Sequence, residues 1–428
     1  MPQANLSADE TDASEVREAL ARGIGSRDAR GSRAGALSNR HFRAYWLGTL
    51  AAFAGNQMQF IAQGWLVYTL TGSALALGGL SAAIGVAMVL FSLLGGALAD
   101  RLEKRNLIVA TQIANGAIAL VVGVLVLSGQ IAYWHLIVAS LGMGAIFALG
   151  MPGRQVFVSE IVGEETLVNA IALNSAGMNV TRIAAPALAG VLLTSIGVGG
   201  IYLLTVGCFV VAVVMMLQVP KSQVRQKGGA SILASVAAGL AYVWKQPILL
   251  PLIVWSGLLG MFGMSYQSLL PVFATVVLDV GATGYGALNA AAGLGALVGS
   301  LVIASLGDFQ RKGAFQAGAA LLMAVALVAF SASTTLAPAL VTLAVVGAMN
   351  TAFMAVNNAA LQLASAPAMR GRVMSVGMMS FGLMPLGALP AGAAADAYGA
   401  PLAVGVSAVL LIVVTLAVIG RYPRLLAR

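Results

Sequence analysis

The stretch Gly96-Ala97-Leu98-Ala99-Asp100-Arg101-Leu102-Glu103-Lys104-Arg105 places five charged side chains between two long apolar runs. Residues 74–99 precede it and 106–128 follow it, almost without charge. An apolar helix of about 20 residues crosses the ~30 Å hydrocarbon layer of a bilayer. The chain therefore crosses lipid, surfaces at Asp100–Arg105, and enters lipid again. Working outward, the same alternation predicts twelve spans, near 44–70, 74–99, 106–128, 134–158, 168–195, 199–219, 248–278, 283–307, 313–332, 336–363, 372–395 and 399–420.

Composition agrees. Of 428 residues, 60% are hydrophobic and 9% charged, whereas a soluble domain carries about 25% charge. So few charges cannot cover a water-facing globule of this size, which excludes soluble enzymes and nucleic-acid-binding domains. The apolar runs are continuous rather than alternating, which excludes a membrane barrel. The 51 glycines suit helices that pack closely in lipid. A lone Cys208 leaves no intrachain disulfide, and it reads as a small buried hydrophobe.

The net charge of +9 records orientation. Of 23 Lys and Arg residues, 22 fall at 17–43, 101–105, 154, 221–245, 311–312, 370–372 and 421–428, which share one side if the spans alternate. The opposite connections contain none. The positive-inside rule then puts both termini and the central interval in the cytoplasm of an inner-membrane, multi-pass protein. Four segments result. Residues 1–40 form a polar tail with the composition of disorder, and 41–219 hold six spans. A linker at 220–247 has apolar spacing that predicts an amphipathic helix over 231–244, and 248–428 hold six further spans and a short tail.

The two six-span sets repeat each other. Asp308 follows the eighth span as Asp100 follows the second, and Gly263 and Gln267 match Gly55 and Gln59 at the same offset. Ala391, Gly392 and Gly399 match Ala189, Gly190 and Gly197. Parallel repeats of this kind are typical of transporters.

The loop at 96–105 resembles the G-x-L-A-D-R-x-G-R-R/K motif of the major facilitator superfamily through Gly96, Leu98, Asp100, Arg101, Lys104 and Arg105. Glu103 stands where that motif has its second glycine. Further segments are similar to the bacterial enterobactin-exporter and macrolide-efflux-like group. They are Gly64-Trp65 through Gly72-Ser73, Met151-Pro152 with Arg154, Asn169 through Ser175, Asn179 with Arg182 and Pro186, and Arg370-Gly371-Arg372. The resemblance implies an all-α membrane fold of twelve helices in two pseudo-symmetric halves. It implies a monomeric secondary transporter that exports a drug-like or siderophore-like solute by alternating access, driven by protons.

In that fold Asp100 would meet the start of the eleventh span near Arg372, and Asp308 the start of the fifth. Together with Arg101, Lys104 and Arg105 they would form a conformational latch, a carboxylate at a helix N-terminus being favourable. The family's pathway lies along spans 1, 4, 7 and 10. Asn56, Gln59 and Gln63 share one helical face of span 1. Phe147, Tyr266, Gln267, Asn350, Met354 and Asn357 are the candidates from the other three. This neutral, amide-rich set suits an amphipathic solute, and each member could equally serve interhelical packing.

Arg182 is the one ionisable residue near the middle of a span. It would bind an anionic group, answer a proton-carrying partner, or hold backbone carbonyls near Pro186. No acid suited to carrying a coupling proton lies within a span, and His41 and His135 sit at span ends. There is no phosphate-binding G-x4-G-K-[ST] loop for ATP, no cluster of metal ligands, and no constellation for catalysis or a cofactor. Import or metabolite exchange, and a non-transporting receptor or scaffold, are the alternatives.

Overall fold

The computed structural model describes residues 35–221, 232–306, 311–366 and 369–423. The tail before residue 35 and Asp308 lie outside the described residues, and so do the side chains of Asp100 and Arg101. All described regular structure is helical. In chain order the helices are α1 Arg40–Thr71, α2 Ala74–Arg101, α3 Lys104–Leu127, α4 Tyr133–Ser195, α5 Gly197–Leu217, α6 Ile232–Lys245 and α7 Leu249–Gly263. They continue with α8 Tyr266–Val272, α9 Gly281–Leu306, α10 Lys312–Ser331, α11 Leu336–Leu363, α12 Arg370–Leu383, α13 Ala388–Tyr398 and α14 Ala400–Arg421.

Local chemistry sets the boundaries. The Asn39 side chain accepts hydrogen bonds from the amides of His41 and Phe42 and starts α1, while Gly72 ends it in the left-handed conformation at φ 63°, a geometry that glycine adopts without strain. Gly399, at φ 90° and ψ 149°, separates α13 from α14 in a different conformation that also favours glycine.

Ten helical stretches among the described residues are long and apolar enough to cross a membrane. The twelve expected from sequence differ from these at two places. Helix α1 has the length but carries Asn56, Gln57, Gln59 and Gln63 along its middle. The expected eleventh span is split by a 3-10 turn at Met384–Gly387 into α12 and α13, each too short alone. The expected seventh span is also interrupted, at Met264–Ser265, and it closes with Pro271 and a π turn at Phe273–Val277.

The expected fourth and fifth spans belong to one run of helical residues, α4. Three contacts prove that the run reverses. The Tyr133 hydroxyl donates to the Ala76 carbonyl near the start of α2 (3.0 Å). Glu160 pairs with Lys104 beyond the far end of α2. Gly190 returns to lie against Ala282, at the start of α9. The bundle thus has a base-free end, where Ser73, Tyr133 and Asp396 gather, and a basic end, where Lys104, Arg105 and Glu160 gather.

Two further expectations change. The final residues of the 1–40 tail are ordered: Ala36 is buried, and its amide donates to the Asn169 side chain at 2.9 Å. The amphipathic helix appears as α6, and it packs against α12 rather than lying free. A methyl group on Gly239 would sit 3.2 Å from Arg372 Cβ, and the Tyr242 hydroxyl accepts from the Ala366 amide. This explains why the polar linker turns apolar at residue 232.

Small residues bring the helices together. A methyl group on Gly190 would lie 2.8 Å from Gly286 Cα, and one on Gly392 would lie 2.5 Å from the Ala74 carbonyl. In lipid such seams are held by dispersion over closely apposed backbones. Gly190→Leu is therefore expected to force α4 from α9 and lower stability by about 1–3 kcal/mol, as overpacking does. Thermal unfolding of the purified protein checks this; an unchanged melting temperature would contradict the close seam.

Candidate functional site

The amide face of α1 is the natural starting point, because amides within hydrocarbon must find partners. Gln63 Nε2 donates to Ser140 Oγ (2.9 Å) and the Leu136 carbonyl (3.3 Å). Gln59 Nε2 reaches Met143 Sδ at 3.3 Å, while its Oε1 is buried without a protein partner. Asn56 donates back to the Ala52 carbonyl one turn earlier. Gln59 and Gln63 thus tie α1 to α4, and one acceptor is left over.

On the other elements, Gln267 and Gln63 line one small cavity with Ser81, Ser268, Phe60 and Tyr285. Its volume of about 20 Å³ admits a water molecule but not a drug-sized solute. Ser81 and Ser268 close it with a hydroxyl pair at 2.8 Å. Trp65 stacks on Tyr285 beside it, with centroids 6.2 Å apart. This cluster joins α1 and α2 to α8 and α9. Ser81, Ser268 and Tyr285 carried no signal in the sequence, since serine and tyrosine in apolar helices usually serve packing.

The remaining candidates disperse. Tyr266 is buried against Phe330 of α10 (6.3 Å, edge-on), with the Gln267 side chain beside its hydroxyl. Asn357 accepts from Gln316 Nε2 at 3.0 Å, linking α11 to α10. Asn350 Oδ1 is buried and unpartnered, Met354 is half-buried, and Phe147 is 51% exposed. Arg182 is exposed, at the α4–α9 seam.

At the basic end, Glu103 solves its own problem. It caps α3 by accepting from the amides of Arg105 and Asn106, both at 3.0 Å, with φ −64°. The loop therefore needs no glycine there. Lys104 pairs with Glu160, and Arg105 donates to the Leu217 carbonyl (2.9 Å), so both brace this loop against α4 and α5. Arg372 is exposed and reaches Met369 Sδ.

The corresponding chemistry at the base-free end was not foreseen. Asp396, near the end of α13, accepts from the Ser73 hydroxyl (2.5 Å) and from the amides of Ala74 (2.6 Å) and Leu75 (3.0 Å). It caps the N-terminus of α2 from 323 residues away, satisfying amides that lack partners within the helix. Partial burial raises the pKa of this carboxyl, but the hydrogen bonds from Ser73, Leu75 and Ala74 together outweigh it and hold it below its ordinary value. The contact is thus strongest above the ordinary carboxylate range and fades as pH falls through the lowered pKa.

The arrangement is one of capped helix ends, a seam of neutral amides and hydroxyls, and no cluster of metal-ligating side chains among the described residues. Residues 32–425 match the family described as transmembrane secretion effector. The chain belongs to this family, within the major facilitator superfamily. Its relatives are transporters rather than enzymes. The multidrug efflux pump Tap of Mycolicibacterium fortuitum is 28% identical over 76% of this chain and 82% of that one. The staphyloferrin A transporter of Staphylococcus aureus is 25% identical over 59% and 64%. The enterobactin exporter EntS of Salmonella typhi is 26% identical over 54% and 55%, so the chain spans about half the length of that relative.

The fold is shared more widely. A bacterial homologue of the human lysosomal transporter Spinster, in an inward-facing and unoccupied conformation, superposes with a TM-score of 0.74 at 15% identity, covering 93% of this chain and 98% of that one. The nucleoside transporter NupG gives 0.72 at 14% identity, with 89% and 99% covered.

For this facilitator the Asp396 cap is the interaction to test. Asp396→Ala is expected to loosen the α2–α13 contact by about 1 kcal/mol, the scale of an exposed charge at a helix N-terminus. Spin labels at Leu75 and Tyr398, with Cys208 replaced by alanine, should report longer and broader distances. An unchanged distribution would show that the glycine seam alone holds this end.

Proposed function

We propose that this protein is a secondary active exporter of the inner membrane, moving an amphipathic small molecule of drug or siderophore type by alternating access. Its twelve spans form two six-helix halves, both termini are cytoplasmic, and the proton gradient drives a monomeric carrier. The observation that carries the proposal is the polar seam at which Gln63 and Ser81 meet Gln267 and Ser268. Amides and hydroxyls placed between two sets of apolar helices suit a solute with both apolar surface and hydrogen-bonding groups. The printed activities of the relatives, drug efflux and siderophore export, point to the same class.

Within this reading Asn56, Gln59, Gln63, Phe147, Gln267, Asn350, Met354 and Asn357 face the solute at some stage of the cycle, as the two halves rock. Tyr266 supports the wall from behind. The base-free end is the outer face, held shut by Asp396 and the Gly392 seam. Asp100 and Arg101, with Asp308 and Arg372, latch the cytoplasmic face when the protein opens outward, while Lys104 and Arg105 keep the loop in place. The support for the latch is chemical symmetry: α2 and α13 already use a carboxylate at a helix N-terminus at their base-free ends.

Everted membrane vesicles test this. Dyes, macrolides and siderophores are expected to accumulate on energisation, with a protonophore abolishing the uptake. No gradient-dependent movement of any solute would favour a scaffold, and loss of preloaded solute on energisation would favour import. Asp100→Asn should reduce uptake without reducing the amount of protein in the membrane. Full uptake by that variant would remove the latch.

A further inference from the structure

Arg182 stands alone in a way that the amide residues do not. It lies near the middle of the apolar stretch Thr166–Ser195, where an arginine costs about 2.5–3.5 kcal/mol on insertion scales. Every Asp and Glu of the chain lies in the tail, in a connection, or near the end of a span, so no carboxylate occupies the same depth. Among the described residues its guanidinium has no hydrogen-bond or ion-pair partner, and the side chain is exposed. The hydrogen-bond hub that a structural arginine would form with Asn179 or the carbonyls near Pro186 is not made.

Its position explains where that side chain points. Arg182, Pro186 and Gly190 follow i, i+4, i+8 spacing and share one face of α4. Gly190 and Pro186 lie against Gly286 of α9, and the backbone and Cγ of Arg182 lie against Gly293 on the same helix. A methyl group on Gly293 would sit 3.3 Å from that Cγ, so a glycine there leaves room for the arginine stem. Arg182 therefore sits directly on the α4–α9 seam, with its stem against Gly293.

We propose that Arg182 is the docking point for an oxyanion, a carboxylate above all, on the transported solute. The exporter accordingly selects amphipathic anions. Five guanidinium donors in a planar fork match a carboxylate in bidentate fashion, and the amides at the α1–α8 seam are neutral. The solute supplies the counter-charge that the protein omits at this depth. This rests on the export reading above and narrows it.

The test uses the purified full chain in lipid nanodiscs and one matched pair of probes, a fluorescent amphiphile bearing a carboxylate and its methyl ester. The acid is expected to bind at least roughly tenfold more tightly than the ester, the scale of a charge-assisted hydrogen bond. Arg182→Gln should remove that preference and leave ester binding within about twofold. Arg182→Lys, which keeps charge but not the fork, should retain part of the preference, and it guards against a general folding defect. Equal binding of acid and ester by the unaltered protein, equal loss of both in Arg182→Gln, or no binding of either overturns the proposal. The export reading fails separately, if energised vesicles move neither these probes nor the wider set of solutes.

Discussion

A hydrocarbon layer offers the backbone no hydrogen-bond partner, and most of this architecture follows from that. Every described crossing is helical, so amides and carbonyls are satisfied within the segment. Helix ends leave groups without intrahelical partners, and there the protein places several of its polar side chains. Asn39 caps α1, Glu103 caps α3, and Asp396 caps α2 from a distant part of the chain. Local caps fix where a helix begins. The distant one also ties two helices that the chain order does not connect.

Between the ends, contact is made by small residues and by a handful of neutral polar pairs. The seams at Gly190–Gly286 and Gly392–Ala74 bring backbones within van der Waals distance. Such packing has no ionic partner to break, so two elements joined by it separate at modest cost. The Ser81–Ser268 pair adds one hydrogen bond at the same junction. This combination of tight shape and weak polarity suits the alternating-access cycle proposed above.

Several features were invisible in the sequence for physical reasons. Tyr266 reads as a pathway residue of the seventh span, and the structure adds that its ring packs against Phe330 just after the break at Met264–Ser265. Gln63 reads as a lining amide and does line the small cavity, but its tie to Ser140 of α4 is not legible in sequence. Asp396 sits at a span end, and nothing nearby in sequence reveals its partners, a hydroxyl and two amides 321–323 residues away. Glu103 departs from the motif's second glycine, and the structure shows it to be an N-cap. In each case the deciding contact is long-range or depends on a local break that composition does not announce.

Hydropathy and charge placement alone determined that this is a helical, multi-pass membrane chain, because the cost of burying charge acts residue by residue and leaves its record in one dimension. The motif at 96–105 and its neighbours identified the superfamily for the same reason: they are contiguous. Tertiary structure decided which polar groups are spent on packing and which remain free. Gln63, Asn357, Lys104 and Arg105 are held by partners, whereas Arg182, at the midpoint of its span, is not. A side chain's freedom is a property of its surroundings, and only the folded chain brings those surroundings together.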